Sequence, residues 1–168
     1  TRHGKGMGSP AYSFGVQAVE VKVDTETGKV DLINITTAHE CGKVINPIGL
    51  EGQVEGASVM AAGWALTEDL QTRDGRVLND NFRDYKLLLA EDVPQMELLE
   101  VDTYEPEGPY GAKEAGEGLT IPTAGAIANA IYRAVGVRIK DMPITPEKVL
   151  RALEEKAAEE REEEQVVA

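Results

Sequence analysis

The sequence contains one cysteine, Cys41, among 168 residues. An internal disulfide is impossible, and so is an iron–sulfur or structural zinc site built on cysteines of this chain alone. A lone thiol agrees with a reducing compartment. Aromatic residues make up only 5%, with one Trp and two Phe, so a core must rest on aliphatic and small side chains. The two histidines, His3 and His39, lie far apart and lack partners at metal-ligand spacing, which argues against zinc. Basic charge is short as well: 17 Lys and Arg stand against 30 Asp and Glu, a formal net charge of −13. Such a chain repels nucleic-acid phosphates and anionic membrane surfaces, and neither is expected as a partner. No apolar run approaches the roughly 20 residues of a membrane-spanning helix, and Thr1 to Ser9 is polar and glycine-rich, unlike a secretory signal. A soluble, cytoplasmic protein is the expectation.

The length suits one domain with a sizeable core. The chain opens at Thr1, without methionine, on a glycine-rich stretch (Gly4 to Gly8) that lacks the ending of a phosphate loop. We read residues 1–15 as a connection and expect the chain to be a piece of something longer. Residues Val16 to Ala38 predict a β-hairpin: Val19, Val21 and Val23 alternate with polar residues, and Asp24 to Gly28 carries turn chemistry. The alternation breaks at Leu32-Ile33, which implies either a bulge or a strand buried on both faces. After Asn46-Pro47, the stretch Ile48 to Thr67 places Val54, Ala57, Ala61 and Ala65 on one helical face, with Trp64 expected in the core. Leu70 to Leu78 reads as a short hairpin around Arg73-Asp74-Gly75, Met96 to Tyr104 as a strand, and 79–94 is ambiguous. Thr120 and Pro122 signal the start of a helix reaching Val135, and Thr145-Pro146-Glu147 the start of a last one. That last helix turns almost wholly charged, so residues 154–168 are expected to form a solvated, frayed tail. Hairpins interleaved with two to three helices, without a βαβ rhythm, favour an α+β fold.

One stretch looks like a site. Gly111-Ala112-Lys113-Glu114-Ala115-Gly116-Glu117-Gly118 sets a carboxylate between glycines just before a helix, where the backbone can come close to a ligand. From the residues alone, Glu117 is either a general base or a solvated carboxylate that favours the helix N-terminus. Gln53 stands at a helix start, where its amide and free backbone N–H groups suit a phosphate or amide edge, though an ordinary polar residue of the first turn is the commoner case. Gly52 and Gly56 read as packing glycines, Lys113 and Glu114 as loop charges, and Cys41 as a small buried residue.

The segment GPYGAKEAGEGLTIPTAGAIANAIYRAVG resembles the C-terminal end of the molybdenum-binding subunit of the xanthine dehydrogenase and aldehyde oxidase family, with its carbon monoxide dehydrogenase and 4-hydroxybenzoyl-CoA reductase relatives. Tyr12 to Gly15, Gly42 to Pro47 and Gly52 to Ala57 resemble further elements of that subunit in the same order, so the likeness extends to about Leu153. It implies that residues 16–153 are the C-terminal portion of a molybdopterin-binding domain. It also implies that Glu117 is the catalytic base of a water-derived hydroxylation of a carbonyl or heteroaromatic carbon, or of its reverse, with cofactor contacts at Gln53, Gly116 and Gly118. The molybdenum cofactor would be shared with the remainder of that subunit, while iron–sulfur centres and FAD would belong to partner subunits. The substrate would be a small molecule. A reading from another class stays open: a non-catalytic structural or assembly module, prone to self-association through its small-residue helical faces.

Overall fold

The computed structural model describes residues 11–167, so His3 and the Gly4 to Gly8 stretch lie outside the described residues. Strands β1 (Phe14–Val23) and β2 (Val30–Glu40) form the expected antiparallel hairpin. Its turn is held by the Asp24 carboxylate, which accepts from the N–H groups of Glu26 (2.8 Å) and Thr27 (3.2 Å). Glu20 pairs with Asn34 and Val21 with Leu32, leaving Ile33 as the extra residue, so the broken alternation is a bulge. Helix α1 (Pro47–Leu66) starts where Asn46 accepts from the Gly49 N–H (3.1 Å) and proline occupies the first turn. Strands β3 (Thr72–Arg73) and β4 (Arg76–Val77) make the short second hairpin around Asp74-Gly75, both at positive φ. The ambiguous stretch 79–94 is irregular, with one 3-10 turn at Ala90–Asp92. Strand β5 (Gln95–Glu100) is shorter than expected and lies parallel to β2, giving a mixed sheet of order β1-β2-β5. Helix α2 (Ile121–Val135) packs on β1 and α1, and α3 (Pro146–Val167) buries Val149 before running exposed from Ala157. The architecture is α+β, and no helix among the described residues is long and apolar enough to cross a membrane.

Two expectations need correction here. Trp64 is not core: it sits at the margin of the stripe formed by Val54, Ser58, Ala61 and Ala65, and is 45% exposed. Gly52 and Gly56 do not pack either, because they lie on the opposite face of α1, where an added Cβ would meet nothing within 4 Å. Helix α2 does start beside Thr120 and Pro122, though the Thr120 hydroxyl makes no cap bond and donates to the Glu117 carbonyl (2.8 Å).

The core is divided by a polar level. Ala62, Ala65, Leu66, Ile127, Ile131, Ile144 and Val149 form one apolar cluster. Cys41, Leu50, Val54 and Leu119 form another. Between the two lie Thr37 and His39 of β2, Ser58 of α1 and Thr123 of α2, with Gln17 of β1 bonded to this level. Gln17 Nε2 donates to both the Thr37 and Ser58 hydroxyls at 3.0 Å. Thr123 Oγ1 is buried with no partner among the described residues. An unsatisfied buried hydroxyl is destabilising, and valine keeps its shape. Thr123→Val is therefore expected to stabilise the fold by about 1 kcal/mol, read from thermal unfolding; a loss of stability would show that the hydroxyl is satisfied.

Candidate active site

The glycine-rich loop is tied to the end of β2. Lys113 N–H donates to the Cys41 carbonyl and Lys43 N–H to the Gly111 carbonyl, both at 2.7 Å, and Gly42 bridges to Ala112. The crossing is so close that a Cβ on Gly42, at φ +71, would strike the Gly111 carbonyl. Beside it lies a buried ion pair between Lys113 Nζ and Glu40 Oε2, whose side chains are 9% and 11% exposed. Lys113 also donates to the Tyr12 carbonyl (2.6 Å) and lies 5.5 Å from the centroid of the Phe14 ring. Glu40 also accepts from the Thr103 hydroxyl and the Gly42 N–H (2.9 Å). Lys113 is thus no loop lysine in solvent. Burial pushes the Glu40 carboxyl up, but hydrogen bonds from Lys113, Thr103 and Gly42 outweigh it and hold the group below the usual carboxylate range.

Farther along, the Glu114 carboxylate accepts from the Ser13 hydroxyl and the Gly116 N–H (2.9 Å). The Ser13 bond above all, with the main chain of Gly116 and Gly118 and the nearby His39, lowers its pKa against partial burial. A Cβ on Gly118 would collide with this carboxylate. Sequence reasoning missed both engaged carboxylates. Glu117 itself opens a 3-10 turn (Glu117–Leu119) that is fixed from below by buried Leu119. Its side chain is exposed and has no hydrogen-bond or ion-pair partner among the described residues.

Because the pKa values of Glu40 and Glu114 are both depressed in the folded state, their stabilisation is complete above the ordinary carboxylate value near 4.5 and is lost as pH falls through the lower folded values. Amide protection factors for residues 111–118 are expected to hold down to about pH 5 and to drop below about pH 4. Loosening already at about pH 6 would contradict this assignment.

The Gln53 side chain extends from α1 to the loop, where Nε2 donates to the Ala115 carbonyl (3.3 Å). A cavity of about 210 Å³ opens between them, lined by Asn46, Gly49, Gln53, Ala112 and Ala115 among others; Glu117 is not part of its lining. Buried Cys41 closes one wall, and burial raises its thiol pKa. Gly116 borders Glu114, and Gly118 gives it room, so both shape the loop. Gln53 keeps one amide hydrogen and its Oε1 for other contacts. The bare backbone at Gly52 and Gly56 leaves α1 open to close approach by a flat polar group. Those residues fit a pterin edge.

The model of the molybdopterin cofactor-binding domain matches residues 1–94, ending before the Gly111 loop. The chain is 40% identical over 145 residues to a probable xanthine dehydrogenase subunit of Bacillus subtilis, covering 86% of this chain and 20% of that protein. It is equally 40% identical over 139 residues to the putative xanthine dehydrogenase molybdenum-binding subunit of Escherichia coli K12, covering 82% of this chain and 18% of that one. The aldehyde oxidoreductase structure from Desulfovibrio gigas superposes with a TM-score of 0.78 at 35% identity, over 84% of this chain and 15% of that chain. This chain thus spans about a fifth of the length of these curated relatives. It belongs to the molybdopterin cofactor-binding domain family, alongside the molybdenum-binding subunits of the xanthine dehydrogenase and aldehyde oxidoreductase type.

Proposed function

We propose that this chain supplies the general base and part of the cofactor pocket of a molybdenum hydroxylase, which inserts a water-derived oxygen at a carbonyl or heteroaromatic carbon of a small molecule or runs the reverse reaction. The observation that carries this reading is the contrast between two carboxylates of one loop. Glu114 is engaged by Ser13 and Gly116, whereas the exposed Glu117 side chain is uncommitted. A base must have a free lone pair within reach of the proton it takes, and Glu117 keeps both carboxylate oxygens for that purpose. When bound, the molybdopterin cofactor supplies two-electron redox chemistry and activation of water. The Gln53 amide would hold its pterin edge, Gly116 and Gly118 would keep the backbone close, and a Glu117 carboxylate oxygen would accept the proton released as water is activated. The names of the xanthine dehydrogenase and aldehyde oxidoreductase relatives support both substrate classes. The partners in this reading are the rest of the molybdenum subunit and iron–sulfur and flavin subunits. The test is turnover by the assembled enzyme carrying Glu117→Gln or Glu114→Gln, with molybdenum content measured alongside. Undiminished turnover by Glu117→Gln would overturn the proposal.

A second reading is favoured by the exposed apolar side chains of Phe14, Val16, Ile48 and Ile121. In it, the isolated chain is an assembly module that self-associates through these surfaces. Size-exclusion behaviour joined to a molybdenum assay separates the two: self-association without molybdenum retention in any assembly supports the second reading.

A further inference from the structure

We infer that Glu114 is a positioning residue whose carboxylate clamps the backbone around Glu117 and so fixes the direction in which that base is presented. This inference rests on the reading of Glu117 as the base. One Glu114 oxygen accepts the hydroxyl of Ser13, just before β1, and the other accepts the N–H of Gly116. Only glycine at 118 lets the carboxylate lie this close to the chain on the far side of Glu117. The main chain of Glu114 is held as well: its carbonyl lies 3.5 Å from Nε2 of His39, a core side chain only 2% exposed. Residue 114 is therefore fixed through its side chain to Ser13, which precedes β1, and faces β2 through its carbonyl.

The need for such a clamp follows from where the other restraints end. Residues 111–113 are held by the Gly42 crossing and by the Lys113–Glu40 pair. The chain is next anchored at Leu119, whose side chain is buried among Cys41, Leu50 and Val54. Between these points Ala115 packs against that cluster and accepts from the exposed Gln53 side chain, and the Gly116 and Glu117 carbonyls accept from Leu119 and Thr120, but Gly116 and Gly118 bring no side chains of their own. Two glycines beside a base leave the backbone wide conformational freedom, and a base displaced by about 1 Å loses about a hundredfold in rate. The ionised Glu114 carboxylate adds the one side-chain restraint on the Gly116 N–H, on the N-terminal side of Glu117. The depressed pKa of Glu114 agrees, since the folded loop favours its charged form.

The experiment compares Glu114→Ala, Glu114→Gln and Ser13→Ala in the assembled molybdenum enzyme. It reads amide exchange of residues 114–120 together with kcat and KM. In Glu114→Ala the Gly116 amide is expected to exchange at least about tenfold faster, the effect of losing a hydrogen bond to a charged group. kcat is expected to fall about 10- to 100-fold with KM changed less than about twofold. Glu114→Gln retains an acceptor oxygen and is expected to recover part of both effects. Ser13→Ala and Glu114→Ala together are expected to cost less than the product of their separate effects, because they act through one contact. Unchanged exchange in Glu114→Ala overturns the clamp. Faster exchange with undiminished kcat, while Glu117→Gln is inactive, overturns the positioning role and leaves the base in place. If Glu117→Gln is itself fully active, the reading of the base fails, and the exchange data alone still decide the clamp.

Discussion

Glu117→Gln is expected to lower kcat about a thousandfold while KM stays within about twofold, the signature of a lost proton acceptor in the reacting state. The substitution changes almost nothing else. Glutamine has the same length and shape, and the side chain it replaces has no partner among the described residues, so no hydrogen bond or ion pair is broken. The features that place residue 117 are carried by its neighbours: buried Leu119, the Thr120 N–H and hydroxyl on the Glu117 carbonyl, and Glu114. Folding and molybdenum content are therefore expected to match those of the unsubstituted enzyme. Removing a positioned base costs about 10²- to 10⁴-fold, and loss of a clamp costs less, so the order of the defects is Glu117→Gln above Glu114→Gln. The reverse order, or a Glu117→Gln defect confined to KM, would move the chemistry away from residue 117. Steady-state kinetics normalised to molybdenum content provides the measurement.

What could be read ahead of the structure was local. Thr145-Pro146 marks a helix start and Asp24 to Gly28 a hairpin because their signals act within a turn, whereas Asn46-Pro47 read only as a loop and turns out to start α1. The broken alternation at Leu32-Ile33 was visible too, but only the register with β1 shows that one residue bulges out. The engaged carboxylates were illegible for a different reason. Lys113 and Glu40 are 73 residues apart, and Ser13 and Glu114 are 101 apart. Lysine and glutamate are almost always exposed, so residue type alone places both in solvent. The parallel pairing of β5 with β2 is likewise a long-range choice, and it sets where the chain leaves the sheet to form the Gly111 loop. Trp64 misled in the opposite way. A large apolar side chain suggests burial, yet on a helix packed through Ala61, Ala62 and Ala65 the bulky residue is left at the margin. The family likeness reached Glu117, but what holds Glu117 in place consists of contacts that no short motif records.

Lys113→Met is expected to lower local stability by about 3 kcal/mol, because it strands a carboxylate among buried groups. The Coulomb gain of a buried pair is largely offset by the cost of removing both charges from water, so the pair itself adds little net stability. Losing one partner leaves that cost uncompensated. Glu40 cannot turn outward to escape it, since Oε1 is held by the Gly42 N–H and the Thr103 hydroxyl. Two relief routes remain: protonation of Glu40, or opening of the crossing between residues 40–43 and 111–113. The second predicts a loss of roughly a hundredfold in amide protection at Lys43 and Lys113, whose N–H groups close that crossing. Adding Glu40→Gln to Lys113→Met is expected to restore most of it. The amide introduced at position 40 keeps an acceptor for Gly42 and Thr103, and its hydrogens can turn to the Tyr12 carbonyl that Lys113 releases. The thioether introduced at position 113 can lie against the Phe14 ring. No buried charge is then left alone. A single variant as well protected as the original, or a double variant worse than the single, would show that the pair holds the loop by direct attraction or not at all.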